Sequence, residues 1–361
     1  MINVTKTFFP PLEDYKIKLQ QIWENGWLTN EGQCENELAN QLRDWLGIPQ
    51  IELVANGTLA LQLAIKALGL TGEIITTPFS YVATPNAIVW EGCTPIFVDI
   101  DDRTLCINPD LIEDSITEKT SAILATHVYG YPCDVKKIAE IARKHKLKVI
   151  YDAAHCFGVR LNGESILKHG DISTLSFHAT KLFHTAEGGS VICQDVNLSD
   201  RVFLLKKFGH LGEDDYLEAG INAKMSELHA AMGLCMLPLI NGIIERRREI
   251  SGWYDELFTD SQVLRPELPL GLDYNYNYYP IFFASHDRMI QVRQNLIDMD
   301  IHPRRYFYPS LNTLPYLQQA GYKSCPVSES AAMRVLCLPI YNELHKEDVV
   351  KISTVVTGRF K

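Results

Sequence analysis

Lys181 stands in the stretch Ser176-Phe177-His178-Ala179-Thr180-Lys181-Leu182-Phe183-His184-Thr185-Ala186-Glu187-Gly188-Gly189-Ser190, behind an apolar run and ahead of a Gly-Gly pair. A lysine held away from water loses its charge readily, and a neutral amine is what a Schiff-base nucleophile requires. The competing reading is a surface loop lysine, the commoner fate of any one lysine. Tyr151-Asp152-Ala153-Ala154-His155 follows a second strand-like run, residues 148–151. Asp152 therefore falls at a strand's carboxyl end, where parallel-sheet proteins assemble their sites. A carboxylate there can keep a heteroaromatic ring nitrogen protonated, or it can cap the turn that follows. His155 can donate to a ring oxygen or be a satisfied core histidine. Asn56-Gly57-Thr58 lies directly after a strand and before a helix. The free N–H groups and positive dipole end of that helix, with the Thr58 hydroxyl, suit a phosphate. An ordinary N-cap with a glycine turn has the same sequence.

Elements must bring these pieces together. Residues 12–50 read as helical, with a break at Asn25-Gly26 and a loop over Leu28-Thr29-Asn30-Glu31-Gly32. From residue 51 strand-like runs at 52–54, 73–76, 95–99, 121–126 and 148–152 alternate with helical stretches at 59–68, 82–91 and 135–145. That alternation predicts an α/β fold with a mainly parallel sheet flanked by helices. Runs at 174–177 and 190–193 flank the lysine loop as candidate neighbouring strands. A long helix is predicted over 224–258. The pattern then changes to a strand at 278–284, a helix at 285–300, an aromatic loop at 304–315, and helices at 329–336 and 347–359. These predict a large domain over residues 1–245 and a smaller C-terminal α/β domain over residues 246–361.

Composition narrows the classes. The 361 residues are 46% hydrophobic and 22% charged, an ordinary globular mix. A net charge of −10 argues against nucleic-acid binding, which wants a basic surface. Local arginines and backbone N–H groups can still hold an anionic small molecule. The nine cysteines form no C-x-x-C pair and lie in apolar segments, as expected of buried free thiols in a reducing cytosol. No metal is expected, because no His/Cys cluster has zinc spacing. No G-x-G-x-x-G follows a strand, and there is no Walker-type loop. No apolar run is expected to approach the roughly 18 residues that span a membrane. No signal peptide is read at the N-terminus, and a cytoplasmic protein is expected.

Taken in order, phosphate cradle, aspartate and lysine at successive strand ends resemble the fold type I enzymes of pyridoxal 5′-phosphate (PLP). The Asp-Ala-Ala-His stretch, the Ser-Phe-His-Ala-Thr-Lys…Glu-Gly-Gly stretch and Gly220-Ile221-Asn222-Ala223-Lys224-Met225-Ser226-Glu227-Leu228 resemble the DegT/DnrJ/StrS sugar aminotransferase family. Gly26-Trp27-Leu28-Thr29, Pro78-Phe79-Ser80-Tyr81-Val82-Ala83-Thr84 and the 305–315 loop match as well.

The resemblance implies the following. Lys181 is the Schiff-base lysine and Asp152 the partner of the pyridine nitrogen. His155 stands near the ring oxygen. Gly57, Thr58 and Ser176 contact the phosphate, and Tyr81 stacks on the ring. Asn222 reaches the phosphate of a neighbouring subunit, so a homodimer shares the active site. Arg305, Tyr306 and Tyr308 approach a nucleotide-sugar substrate; a loop packed on the core by its aromatics is the alternative. Lys224 departs from the family's usual arginine, and the two are not interchangeable at a bidentate contact. The implied activity moves an amino group from glutamate to a nucleotide-linked 4-keto-6-deoxy sugar, for surface polysaccharide biosynthesis. The residues around Lys181 most resemble the branch that aminates C4 of dTDP-4-keto-6-deoxyglucose. A C3-specific aminotransferase and a non-catalytic PLP-binding regulator are the competing readings.

Overall fold

A computed structural model describes residues 1–259, 261 and 263–358. Helices α1 (Leu12–Asn25) and α2 (Gln33–Leu46) form where the sequence predicts them. Gly26 and Gly47 end them with φ of 62° and 66°, a left-handed turn that glycine adopts without strain. Gly32 offers no side chain to cap α2. The Glu227 carboxylate does so from 193 residues away, accepting the Cys34 and Glu35 N–H groups at 2.8 Å each.

Seven strands form the central sheet: β1 (Gln50–Val54), β2 (Glu73–Thr76), β3 (Thr94–Phe97), β4 (Thr120–Thr126), β5 (Lys148–Asp152), β6 (Ile172–Ser176) and β7 (Gly189–Cys193). Their order is β1-β7-β6-β5-β4-β2-β3, and all run parallel except β7, which is antiparallel to both neighbours. The parallel strands are largely apolar because helices cover both faces. The reversed β7 has a local consequence. Its first residue, Gly189, sits opposite Val54 and Ser176 at the sheet's carboxyl edge, so the lysine loop leaves and re-enters the sheet there.

The helices α3 (Gly57–Ala67), α4 (Ala83–Trp90), α5 (Val135–His145) and α6 (Val196–Leu205) complete this layer. The predicted long helix is two, α7 (Glu227–Met236) and α8 (Ile240–Phe258), joined by a 3₁₀ turn at Leu237–Leu239. Glu227–Phe258 contains an 18-residue window of mean hydropathy 1.4, which corrects the expectation that no run has membrane-spanning length. Burial accounts for the composition: 56% of that window lies inside the protein, with α7 packed on α1 and α2.

In the C-terminal part, β8 (Tyr279–Phe282) pairs antiparallel with β9 (Val335–Leu338), backed by α9 (His286–Asp298), α10 (Pro326–Arg334) and α11 (Lys346–Thr357). The expected helix over 329–336 is therefore corrected. Val335 and Leu336 belong to a fully buried strand, Val-Leu-Cys-Leu, whose backbone pairs with β8. Of the predicted last helix, Arg359 lies outside the described residues. Ile240 and Ile243 of α8 pack into the core of the large sheet, while Ile250, Tyr254 and Phe258 pack into the C-terminal core. All nine cysteines are buried and free.

Candidate active site

Asp152, the last residue of β5, is buried at the floor of a cleft along the sheet's carboxyl edge. Thr84 Oγ1 donates to Asp152 Oδ2 at 2.7 Å, and the Ala154 N–H donates to Oδ1 at 3.1 Å. The hydroxyls of Thr84, Ser80 and Thr126 continue the chain at 2.9 and 3.0 Å. Burial raises the Asp152 pKa, and the two donors and Lys181 only partly oppose it.

His155 is held in one tautomer. Its Nδ1 accepts the Tyr129 N–H at 3.1 Å, which puts the ring proton on Nε2. Its ring stacks on Phe307 at 5.6 Å and meets Tyr278 edge-on at 4.9 Å. Asn275 ties the backbone by donating to the carbonyls of His155 and Phe157 at 2.8 and 3.0 Å. Burial, and then the charge of Lys181, hold the His155 pKa well below its usual value, so it is neutral at pH 7.

Lys181 hangs from the β6–β7 loop with Nζ 3.2 Å from the Tyr278 hydroxyl. Burial pulls its pKa down to about 8, against the attraction of Asp152. At the other end of the cleft, Asn56 Oδ1 accepts the Leu59 N–H at 2.9 Å. The N–H groups of Gly57 and Thr58 have no acceptor among the described residues. A Cβ on Gly57 would lie 2.8 Å from Ser176 Cβ, and one on Gly189 would lie 2.7 Å from the Asn56 carbonyl carbon. Side chains there would fill a small concave cradle of backbone donors.

The cleft has a volume of about 350 Å³ and gathers Gly57, Thr58, Tyr81, Asp152, His155, Ser176 and Lys181, as the sequence predicts. A second cavity of about 470 Å³ adjoins it and is lined by Arg305, Tyr306 and Tyr308, with Arg293 and Arg304. Ser80, Tyr81, Tyr306 and Phe307 face both. Asn222 does not line either space. It is exposed, its backbone bridged to Lys207. Lys224 lies beside it with Nζ 4.7 Å from the Phe208 ring. Among the described residues no group of three or more His, Cys, Asp or Glu could hold a metal ion.

Sequence reasoning missed Thr84, Tyr129, Tyr278 and Phe307. Thr84 and Phe307 stood inside motifs that had been noticed for other residues. Tyr278 sits in the tyrosine-rich tract 273–279, where nothing in the spacing singles it out from its neighbours.

The residues present fit PLP at each of its polar ends. The cradle offers unpaired N–H groups to a phosphate, Asp152 a carboxylate to the ring nitrogen, His155 an N–H to the ring oxygen, and Lys181 a weakly basic amine to the aldehyde. With the β1-β7-β6-β5-β4-β2-β3 sheet beneath it, this arrangement defines the class: a PLP-dependent transferase of fold type I. The profile of the DegT/DnrJ/EryC1/StrS aminotransferase family matches residues 13–357, and the chain belongs to that family of PLP-dependent enzymes. It is 42% identical to a dTDP-4-amino-4,6-dideoxy-D-glucose transaminase of Shigella dysenteriae, with 98% of each chain covered. It is 41% identical to an Escherichia coli protein of the same name, covering 99% of this chain and 98% of that one. Among solved structures, the crystal structure of DesI in the presence of its TDP-sugar product matches with a TM-score of 0.94 at 31% identity, over 99% of this chain and 94% of that chain.

Proposed function

We propose that the protein transfers an amino group from L-glutamate to carbon 4 of dTDP-4-keto-6-deoxyglucose, giving dTDP-4-amino-4,6-dideoxyglucose for surface polysaccharide biosynthesis in the cytoplasm. The observation that carries this reading is the continuity of the Lys181 cleft with an arginine-lined cavity large enough for a nucleotide. The names of the two bacterial relatives support carbon 4 and the dTDP carrier.

When bound, PLP supplies an electron sink for charge developing at the carbon next to the amino nitrogen. Gly57, Thr58 and Ser176 would hold its phosphate, and Tyr81 would lie against its ring. Asp152, its position fixed by Thr84 and Ala154, would keep the ring nitrogen protonated. His155 would donate Nε2–H to the ring oxygen. Lys181 would hold the cofactor through its aldehyde carbon, and its amine would take up and return the proton at the donor's α-carbon. A pKa of about 8 suits both directions of that transfer at neutral pH. The loop that carries Arg305, Tyr306 and Tyr308 would receive the nucleotide end of the sugar substrate.

Two further features belong to the reading. A large domain over 1–245 and a smaller one over 246–361 meet along α8, near the change of core between Ile243 and Ile250. A homodimer brings Asn222 to the phosphate of its neighbour. The segment that carries Asn222 also exposes Phe208, Leu211, Tyr216, Leu217 and Ile221, an apolar face suited to a second copy.

The test is to incubate the purified holoenzyme with L-glutamate and dTDP-4-keto-6-deoxyglucose and to identify the product by NMR. A 4-amino sugar nucleotide is expected. A 3-amino product, or none, would overturn the assignment.

A further inference from the structure

We propose that Arg293 on α9, together with Arg304, grips the diphosphate of the nucleotide substrate in the outer cavity, while Arg305 serves to position the loop that carries Arg304. The inference rests on the sugar-nucleotide reading above and names the residues that hold the substrate's charged end.

Three arginines line this cavity and no aspartate or glutamate does. Among the described residues, neither the Arg293 nor the Arg304 side chain has a hydrogen bond or ion pair. Like charges gathered without an acid repel one another, and an anion placed among them removes the repulsion. Arginine is suited to the task because its planar fork matches phosphate oxygens in pairs.

Arg305 is differently engaged. Its Nη2 donates to the Ala332 carbonyl at 3.1 Å, and its guanidinium carbon lies 3.4 Å from the Tyr308 ring centroid. Its Nε is buried without an acceptor among the described residues. Burial lowers its pKa, and the charge of Arg293 adds to that effect. A side chain fixed in this way holds the loop in place and leaves the flanking arginines to meet the ligand.

The shared wall sets the substrate's direction. Tyr81 and Tyr306 face the Lys181 cleft on one side and the arginines on the other. A sugar reaching Lys181 therefore leaves its diphosphate beyond that wall. Tyr308, 48% exposed beside the arginines, offers a ring to the base.

Calorimetric titration of the holoenzyme with dTDP tests the assignment. Arg293→Ala should weaken dTDP binding roughly tenfold or more, with Arg293→Lys recovering part of the loss because charge returns without the fork. The KM for the keto-sugar nucleotide should rise in parallel, with a smaller change in kcat. Unfolding temperature and cofactor absorbance confirm an intact holoenzyme, and Arg304→Ala provides an independent variant of the same cluster. A dTDP affinity within about twofold of wild type in both alanine variants would overturn the proposal. So would an equal rise in the KM for L-glutamate, since the cluster would then serve a donor carboxylate. If wild-type holoenzyme neither binds dTDP nor aminates the keto sugar, the sugar-nucleotide reading itself fails. If it does both and the variants match it, only the arginine assignment fails.

Discussion

Lys181 and Tyr278 lie 97 positions apart in the chain, yet Nζ and the phenol oxygen are 3.2 Å apart. Tyr278 precedes β8 and Lys181 sits between β6 and β7, so the contact ties the C-terminal part of the chain to the lysine loop. The same phenol ring meets His155 at 4.9 Å and Tyr306 at 5.8 Å, both edge-on.

Removing that hydroxyl should cost catalysis more than binding. In Tyr278→Phe the amine of Lys181 loses this partner, and kcat should fall about fivefold, the worth of about one hydrogen bond. The hydroxyl accepts more strongly from an ammonium than from an amine. Its loss should therefore lower the lysine pKa and move the acid limb of the kcat–pH profile to lower pH. Steady-state kinetics across roughly pH 6–9, the span around that limb, reads both effects.

Thr84 donates its hydroxyl to Asp152 at 2.7 Å. Thr84→Val keeps the shape and removes the bond. A buried carboxylate that loses a donor has its pKa raised further. The variant should bind PLP about tenfold more weakly, because its ring nitrogen would face a carboxyl that ionises less readily. Equilibrium dialysis against PLP measures this.

The pH dependence of cofactor capture follows from the lysine. With a pKa of about 8, Lys181 is ammonium below that pH and free amine above it. The capture rate of cofactor-free protein should rise about tenfold per pH unit below that pKa and level off above it. An ordinary lysine would keep accelerating beyond about pH 9, toward its usual pKa. Stopped-flow absorbance after adding PLP separates the two.

Lys206 is buried with Nζ 3.4 Å from Glu35, 3.0 Å from Glu52 and 3.2 Å from the Leu53 carbonyl. Lys206→Met would leave two carboxylates facing each other and should destabilise the fold by about 3 kcal/mol or more. Burial already raises the Glu35 pKa despite the lysine. An acid whose folded pKa is raised destabilises above that pKa and is relieved as pH falls through it. The variant's deficit in urea denaturation should therefore shrink on acidification.

The site was legible where its residues follow strands directly. Asp152, Ser176 and the Asn56 cap are fixed by local geometry, and a strand end followed by a turn can be read from a few neighbours. Thr84, Tyr129 and Tyr278 reach the site only because the segments after β2 and β4 and the one before β8 come together in three dimensions. No spacing in the chain encodes that. The same limit explains Val335 and Leu336. Their helical neighbours favour continuing α10, and the strand that outweighs this, β8, lies far back in the chain. The apolar face of α7 and α8 likewise has the composition of a spanning segment until the helices that cover it are known.

Helix α8 holds one end in each core, and no loop intervenes between Ile243 and Ile250. The chain therefore offers no flexible seam there for a protease to open. Neither half should be expressible alone. A fragment ending near residue 245 would lack Phe282, Phe307, Val335 and Cys337, which pack into the core of the large sheet, and one starting there would leave those side chains uncovered. Any swap of nucleotide-binding halves between relatives must carry this helix whole.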